Sequence, residues 1–524
     1  VLVKVVGNGG HIRANPINQF YLVEDEWNDW FEFKTMYSLR YVNHSGEVEY
    51  IGSLKIGQVN MSRGQKRPDL PEEFDQLNDE FFSVGQDVSY YEYLNNLGDD
   101  IREGILKSLN DMALLSSAYE RAMSQRVTGQ SLMRSVQRTS VLGQYRRLAK
   151  GDARLTPYEF KYVGPYYTNT ERLELTFEVG PKSNPPTNIH ILIGRNAVGK
   201  TFLMNNMIDS LIDKKNPSKV GYFSPISEEI TSENLFANVV SVSFSAFDPA
   251  EPLPERRNKL EGTPYSYIGL KQFKKPPKSP DNLKYEFANS LNAIVRSSKT
   301  TRWLRAVEML SSDPIFMESD VPSILQSENE DGSQTELDET DLMDQGTDEE
   351  KKLKSRAQKF FHRLSSGHKI VLLTLTRLVE TVEERTIVLL DEPEAHLHPP
   401  LLSAFVRALS DLLTRRNAVA IIATHSPVIL QEVPRSCVWK LRRQGKTQWS
   451  SRTDIETFGE GIGALTREIF ELEVFYSGFY KMLTEAVKEH SDYVSILEHF
   501  NNELGIEARA IVRGLVASIE KEEE

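Results

Sequence analysis

The stretch Gly194-Arg195-Asn196-Ala197-Val198-Gly199-Lys200-Thr201 constrains the fold of this chain more than any other. It fits G-x-x-x-x-G-K-[ST], a loop whose glycines let backbone N–H groups converge on phosphate oxygens. The apolar run at 188–193 predicts a short buried strand before it, and Phe202-Leu-Met-Asn-Asn-Met-Ile208 predicts a helix start after it. The helix N-terminus adds partial positive charge where phosphates would sit. A strand, loop and helix in that order imply an α/β fold and a bound nucleoside triphosphate. Residues 194–201 and Phe202 form the expected nucleotide-binding set, with Lys200 reaching the β- and γ-phosphates and the Thr201 hydroxyl ligating Mg²⁺.

At 524 residues the chain is too long for one ordinary domain, and its 39% hydrophobic content supplies packed cores. The single cysteine, Cys437, excludes an intramolecular disulfide and fits a reducing, cytoplasmic setting. No apolar run approaches the 18 or so residues of a membrane span, and the opening residues do not form a signal peptide. The missing initial Met places the expected native start upstream of residue 1. The net charge of −13 is local. Residues 318–350 hold 13 carboxylates and no Lys or Arg; without them 62 acidic residues face 62 basic ones. That stretch is expected to be a disordered, solvated insertion, with docking of a partner or mimicry of nucleic acid as the alternative.

The pattern along the chain divides it in three. Residues 1–150 form an N-terminal α+β extension. Alternation over 31–41, a turn at Asn43-His-Ser-Gly46 and a return over 47–56 predict strands, with Trp27 and Trp30 packing that small sheet; helical periodicity follows from about 90 to 147. Residues 151–475 form the nucleotide-binding core, with strands at 158–163, 172–179 and 239–247 and an insertion at about 248–350 expected to make an arm or lid. Residues 476–524 read as helical. Between Arg121 and Arg154 eight basic residues accompany one acidic residue, Asp152. This density fits a phosphate backbone, with Arg134, Arg138, Arg146 and Arg147 as contacts, but equally a subunit interface or a solvated face.

Three downstream segments carry the chemistry. The apolar strand 385–390 delivers Asp391 and Glu392 at its C-terminal end, where α/β sheets bind ligands. Asp391 would hold Mg²⁺ opposite Thr201, and Glu392 would polarise the water that attacks the γ-phosphate. A second strand, 418–424, ends at His425, placed to sense that phosphate. Ser365-Ser366-Gly367-His368 opens a helix about 25 residues before Asp391, a further anion site at a helix start. Lys200, Glu392 and His425 are the expected catalytic residues of a Mg²⁺-dependent ATPase.

These motifs in this order resemble the ABC-type ATPase superfamily. The resemblance implies a head with a mixed β-sheet, flanking helices and a helical insertion, in which Ser365, Ser366, Gly367 and His368 act in trans on the nucleotide of a second head. Ser366 and His368 depart from the usual Gly and Gln of this signature. No clear Q-loop glutamine follows the strand ending at Phe247; Ser245 or Asp248 occupies its place. The run Leu390-Asp-Glu-Pro-Glu-Ala-His-Leu-His-Pro399 is similar to the OLD-like and RecF-like ATPases rather than transporters. His396 and His398 have a spacing that invites a metal reading, but their superfamily position is the loop that crosses the dimer interface. Together with 243–248, 457–460 and 465–468, the motifs look most like the ATPase subunit of Septu-type anti-phage systems (PtuA), including retron-linked ones, over about residues 156–475. That family implies ATP and Mg²⁺ as ligands, a second copy and a separate HNH nuclease as partners, and in retron systems a reverse transcriptase with its RNA–DNA hybrid. The rival expectations are a RecF- or SMC-like DNA-maintenance ATPase and an ATP-bound scaffold with little turnover.

Overall fold

The computed structural model describes residues 2–523 apart from 9–11, 13–16, 26–31, 44, 63, 152–156, 167–170, 181, 213–215, 227–234, 245–249, 257–262, 298, 326–347, 446, 471–477 and 491. Trp27, Trp30, Ser245, Asp248, Arg154 and most of the acidic stretch lie outside the described residues.

The first strands are β1 (Val3–Val6), β2 (Gln19–Glu24), β3 (Met36–Val42), β4 (Val48–Gln58), β5 (Glu73–Phe74) and β6 (Phe81–Gly85), in the sheet order β5-β1-β2-β3-β4-β6. Helices α1 (Val88–Asn96), α2 (Asp99–Ser108) and α3 (Ser116–Met123) follow, then two π-helical turns at Thr128–Leu132 and Val141–Tyr145. A core of their own, from Val3 to Ala149, joins sheet and helices through Leu39, Leu54, Phe82, Tyr91, Leu106 and Tyr145.

In the core, β7 (Tyr158–Val163), β8 (Glu174–Val179) and β10 (Tyr222–Pro225) make a small antiparallel sheet. The main sheet comprises β9 (Ile189–Ile193), β11 (Asn238–Ser243), β12 (Tyr265–Gly269), β13 (Thr386–Asp391), β14 (Val419–Thr424), β15 (Val438–Gln444) and β16 (Thr447–Ser451). Its order is β12-β11-β13-β14-β9-β15-β16, parallel except for the β15–β16 hairpin. β9, β13 and β14 are buried at every position, as parallel strands covered on both faces must be. Period-two alternation divides their side chains. Val388, Leu390, Ala420 and Ile422 face α5 (Pro280–Arg296), α6 (Thr300–Leu310), α8 (Ser366–Thr381) and α9 (Pro399–Arg416). Ile387, Leu389, Ile421 and Ala423 face α4 (Lys200–Ile212) and the small sheet.

The insertion is not the arm or lid that its length predicts. β12 is an edge strand of the main sheet, and Phe287, Leu291, Trp303 and Leu310 of α5 and α6 are fully buried in the central core. These helices carry one-sided apolar periodicity, so packing against α8 and α9 removes more apolar surface from water than projection would. The acidic stretch is ordered at both described ends. Val321 and Ile324 are buried, and Asp348, Glu349 and Glu350 open α7 (Asp348–Arg363), where carboxylates suit the helix dipole.

After the hairpin, α10 (Ile462–Phe470) packs Leu465 and Ile469 into the central core. Helices α11 (Gly478–Glu489), α12 (Tyr493–His499) and α13 (Ile506–Glu523) share a separate small core of Leu483, Ala486, Val487, Ile496 and Val512.

Candidate nucleotide site

The phosphate loop leaves the C-terminal end of β9, between β14 and β15. Ala197 at φ +65 and Gly199 at φ +93 turn it back into α4. Only glycine takes the left-handed region without strain, which accounts for Gly199. Lys200 lies folded into the loop, its ammonium donating to the Gly194 and Arg195 carbonyls at 3.0 and 3.2 Å. Burial lowers its pKa, while Glu392, Asp391 and Glu394 pull the other way, so this cation sits in the field of all three carboxylates. Asn196 and Ala197 are exposed at the tip, Thr201 is half-buried, and Arg195 reaches back to the Phe470 carbonyl.

Strand parity places the carboxylates. Asp391 shares its parity with Ile387 and Leu389, so it points to the α4 side, where it lines a cavity with Met204, Asn205 and Ile208. Glu392 leaves the strand at φ +47 and ψ +57, its N–H donating to the Ala423 carbonyl at 2.9 Å. His425 directly follows β14, the strand between those of Asp391 and the phosphate loop. Its Nδ1 is 3.5 Å from Glu392 Oε1 and 3.6 Å from Glu394 Oε1. Glu394 also accepts from Thr424 Oγ1 at 2.5 Å and from the His425 N–H at 3.0 Å. Sequence reasoning missed Glu394 as a site residue, although it stands two places after Glu392.

The donor set fits Mg²⁺: a hydroxyl at Thr201 and a carboxylate at Asp391 are hard oxygen ligands, and three acidic groups beside a polyphosphate call for a divalent cation. Beside Gly199 a cavity of about 320 Å³ is lined by Val198, Phe202, Leu203 and Leu173 with Arg443 and Gln448. Its apolar walls suit a nucleobase, and Gln448 Nε2 already donates to the Val198 carbonyl at 3.0 Å. Arg443 and Gln448 come from the β15–β16 hairpin, which carries no motif.

The signature segment stands apart. Ser365 caps α8 at its N-terminus, exposed together with Ser366. A Cβ on Gly367 would lie 2.8 Å from the His396 carbonyl oxygen, so glycine is required where α8 meets the loop after Glu392. His368 is buried, its Nδ1 2.6 Å from Ser365 Oγ and its Nε2 3.0 Å from Asp313 Oδ1. The other Asp313 oxygen is 3.3 Å from His398 Nε2. Burial raises the Asp313 pKa, but the His368 hydrogen bond and the Phe316 and Ile315 N–H groups outweigh it and hold the carboxyl below its usual range. His398 is thus engaged by a carboxylate, and the described residues contain no cluster of three or more groups placed to hold a metal ion. Asp313 lies 55 residues before His368 and nothing in the sequence marks it.

Of the four candidate nucleic-acid contacts, two are half-buried. Arg147 meets Glu384 at 2.5 Å, and Arg146 donates to the Ala113 carbonyl at 3.2 Å. Arg134 and Arg138 are exposed.

Compared with known proteins, the chain is 40% identical over 523 residues to protein ea59 of Escherichia phage lambda, covering 98% of each chain. The chain belongs to the ea59 family. A family described as "AAA domain, putative AbiEii toxin, Type IV TA system" matches residues 326–431, the part of this ea59-family chain that contains α7, α8, β13, α9 and β14. The head is an ATPase domain of the ABC/AAA type, with the motifs on the sheet as described above. Among solved structures, the ADP conformation of MJ1267, an ATP-binding cassette of an ABC transporter, matches with TM-score 0.31 at 12% identity, covering 62% of this chain and all of that one. UvrA2 from Deinococcus radiodurans matches with TM-score 0.27 at 13% identity, covering 57% and 38%. Among the described residues no helix is long and apolar enough to cross a membrane.

Proposed function

We propose that this protein hydrolyses ATP between two copies of itself, each head presenting its Ser365–Gly367 helix tip to the nucleotide on the other's phosphate loop. The observation that carries this reading is the separation of the two sites along one chain. The phosphate loop and Lys200 touch Gly194, Arg195, Phe470 and Gln448. The signature tip touches Asp313, His396 and, through Asp313, His398. Ser366 and the His368-bound Ser365 are exposed at the start of a 16-residue helix, where a phosphate from outside the chain can approach. Glu392 would orient the attacking water and His425 would read the γ-phosphate, while Thr201 and Asp391 would hold Mg²⁺, whose charge would offset that of the phosphates.

The output would pass through the N-terminal domain. Glu383 and Glu384, just before β13, and Arg416, at the end of α9, bind Lys299, Arg302, Arg147 and Asp87 in a buried network that joins this domain to the strand carrying Asp391. The motif resemblance supports a finer reading: closure of the heads controls an HNH nuclease supplied in trans, in a Septu-like defence system, with a reverse transcriptase and RNA–DNA hybrid in retron-linked forms. Kinship with a phage-lambda protein adds that such a system would be carried by a phage or prophage. The SMC-like alternative calls for long coiled-coil arms, whereas the longest described helices span 18 residues.

Complementation tests the trans arrangement. Lys200→Ala disables a chain's own loop and Ser365→Ala its signature, so each variant alone should lose turnover. Mixed, they assemble one intact site, and hydrolysis should return to a measurable fraction of wild type in a phosphate-release assay. Mixtures as inactive as their components exclude the shared site. Glu392→Gln should cut turnover by about 10²-fold or more and, with ATP and Mg²⁺, shift sedimentation toward the dimer. Co-purification from the native host, with mass analysis of bound chains and nuclease assay, decides the nuclease reading.

A further inference from the structure

Glu394 brings a third carboxylate to a site where holding Mg²⁺ and polarising water call for two, Asp391 and Glu392. Glu392 leaves β13 in the left-handed region, and the 3₁₀ turn Pro393–His396 then carries Glu394 back onto the end of β14. Only 9% of its side chain is exposed. Oε1 accepts from Thr424 Oγ1 at 2.5 Å and from the His425 N–H at 3.0 Å, which fixes the last residue of β14 and the residue after it. Thr424 Oγ1 accepts in turn from the Ser426 N–H at 2.9 Å.

That clamp does not need a charge. A neutral amide oxygen would accept both hydrogen bonds, and burying an ionised group costs more than burying an amide. Oε2 is buried without a hydrogen-bond partner among the described residues, so the clamp does not compensate it. What the charge faces is the imidazole and the phosphate loop. His425 Nδ1 is 3.6 Å from Glu394 Oε1, and the Lys200 ammonium feels Glu394 together with Glu392 and Asp391.

Nδ1 is also 3.5 Å from Glu392 Oε1, so one edge of the ring stands between two carboxylates. They are not equivalent. Glu392, 30% exposed, can turn toward water, whereas the hydrogen bonds from Thr424 and His425 keep Glu394 in place. The His425 side chain is 45% exposed, and a partner on one edge of the ring fixes where the other edge points. We propose that Glu394 is a positioning residue of the reaction: it holds the Nδ1 edge of His425, so that the opposite edge faces the γ-phosphate and Glu392 is left to the attacking water. This rests on the roles proposed above for His425 and Glu392.

Phosphate release by the full-length protein with ATP and Mg²⁺, a fluorescent-nucleotide titration and thermal melts test the proposal. Glu394→Gln keeps an oxygen for Thr424 and the His425 N–H, so the melt should stay near that of wild type. Its kcat should fall about tenfold, as expected when a bond to a charged group is lost. Its nucleotide Kd should move by less than about threefold. The deciding measurement is a double-variant cycle with His425→Ala. Because Glu394 acts through His425, the double variant should turn over within about threefold of His425→Ala alone. A residue that merely held the turn would subtract a further factor of about ten. Should Glu394→Gln not remain folded, Glu394→Asp, which keeps the charge but draws it back by one methylene, enters the same cycle. Wild-type kcat in Glu394→Gln, a loss confined to Kd, or additive losses in the cycle overturn this proposal alone and leave the roles of Glu392 and His425 standing. Wild-type turnover in His425→Ala overturns both.

Discussion

Glu392 occupies a left-handed conformation that a non-glycine residue adopts only at a cost of about 1 kcal/mol or more. That turn takes its carboxylate off the strand and toward His425, where alternation would otherwise bury it on the α9 side with Leu390. The same scale holds the chain from Ser365 through His368 to Asp313. With Asp313 ionised and accepting from Nε2–H, the state of Nδ1 decides whether the Ser365 hydroxyl points its proton inward or outward. Asp313→Asn removes the charge that holds this arrangement, and hydrogen bonds to charged groups contribute about 1.5–3 kcal/mol. If Ser365 serves the other copy's nucleotide, as proposed, turnover of the variant should fall about tenfold or more while its nucleotide Kd moves less than twofold. Steady-state hydrolysis and a fluorescent-nucleotide titration measure the two. An equal loss in both would place the network at its own chain's nucleotide.

At the scale of elements, α8 is set against the loop 392–398 by the absence of a side chain at Gly367. Gly367→Ala puts a methyl 2.8 Å from a backbone carbonyl that has no rotamer with which to yield. Overpacking of this kind costs about 1–3 kcal/mol. Thermal denaturation should show a lower Tm, and hydrolysis should fall with it as the signature tip moves. Gly514, within α13 with nothing near its Cβ position, is the control: alanine there should leave turnover intact and add about 0.5–1 kcal/mol of stability. Element positions were legible where periodicity was strong, as in β7, which spans the same residues that its alternation predicts. β9, β13 and β14 likewise lie within a residue of their apolar runs. β12 and the β15–β16 hairpin were not legible, since an edge strand and a half-exposed hairpin carry weaker apolar patterns.

Across the whole molecule, the two large domains are joined by charge rather than by apolar surface alone. Asp87 is buried and meets Arg302 at 2.5 Å and Arg416 at 3.3 Å. Burial raises its pKa, but the two guanidiniums, the Ser89 N–H and Lys299 outweigh this and hold the carboxyl far below its ordinary value. A depressed folded-state pKa contributes stability that is fully present above the unfolded value, near 4, and is lost as pH falls below it toward the folded one. Denaturant midpoints should therefore lose this contribution only below about pH 4. Asp87→Asn leaves two arginines facing a neutral group and should cost about 3–5 kcal/mol at pH 7, read as a lower urea midpoint. A midpoint equal to wild type would mean that the junction does not rest on this contact.

The local pattern alone determined the nucleotide-binding unit. A glycine-bounded loop between an apolar strand and a helix start, and two carboxylates at a strand end, act through neighbours a few residues away. The ABC/AAA-type head follows from those units in their order. The tertiary structure decided which distant groups complete them: Asp313 behind His368, Glu384 on Arg147, and Asp87 between two arginines, one of them 329 residues away. Such pairings depend on how buried charges find counter-charges in a packed interior, and that choice is made by the geometry of the whole chain.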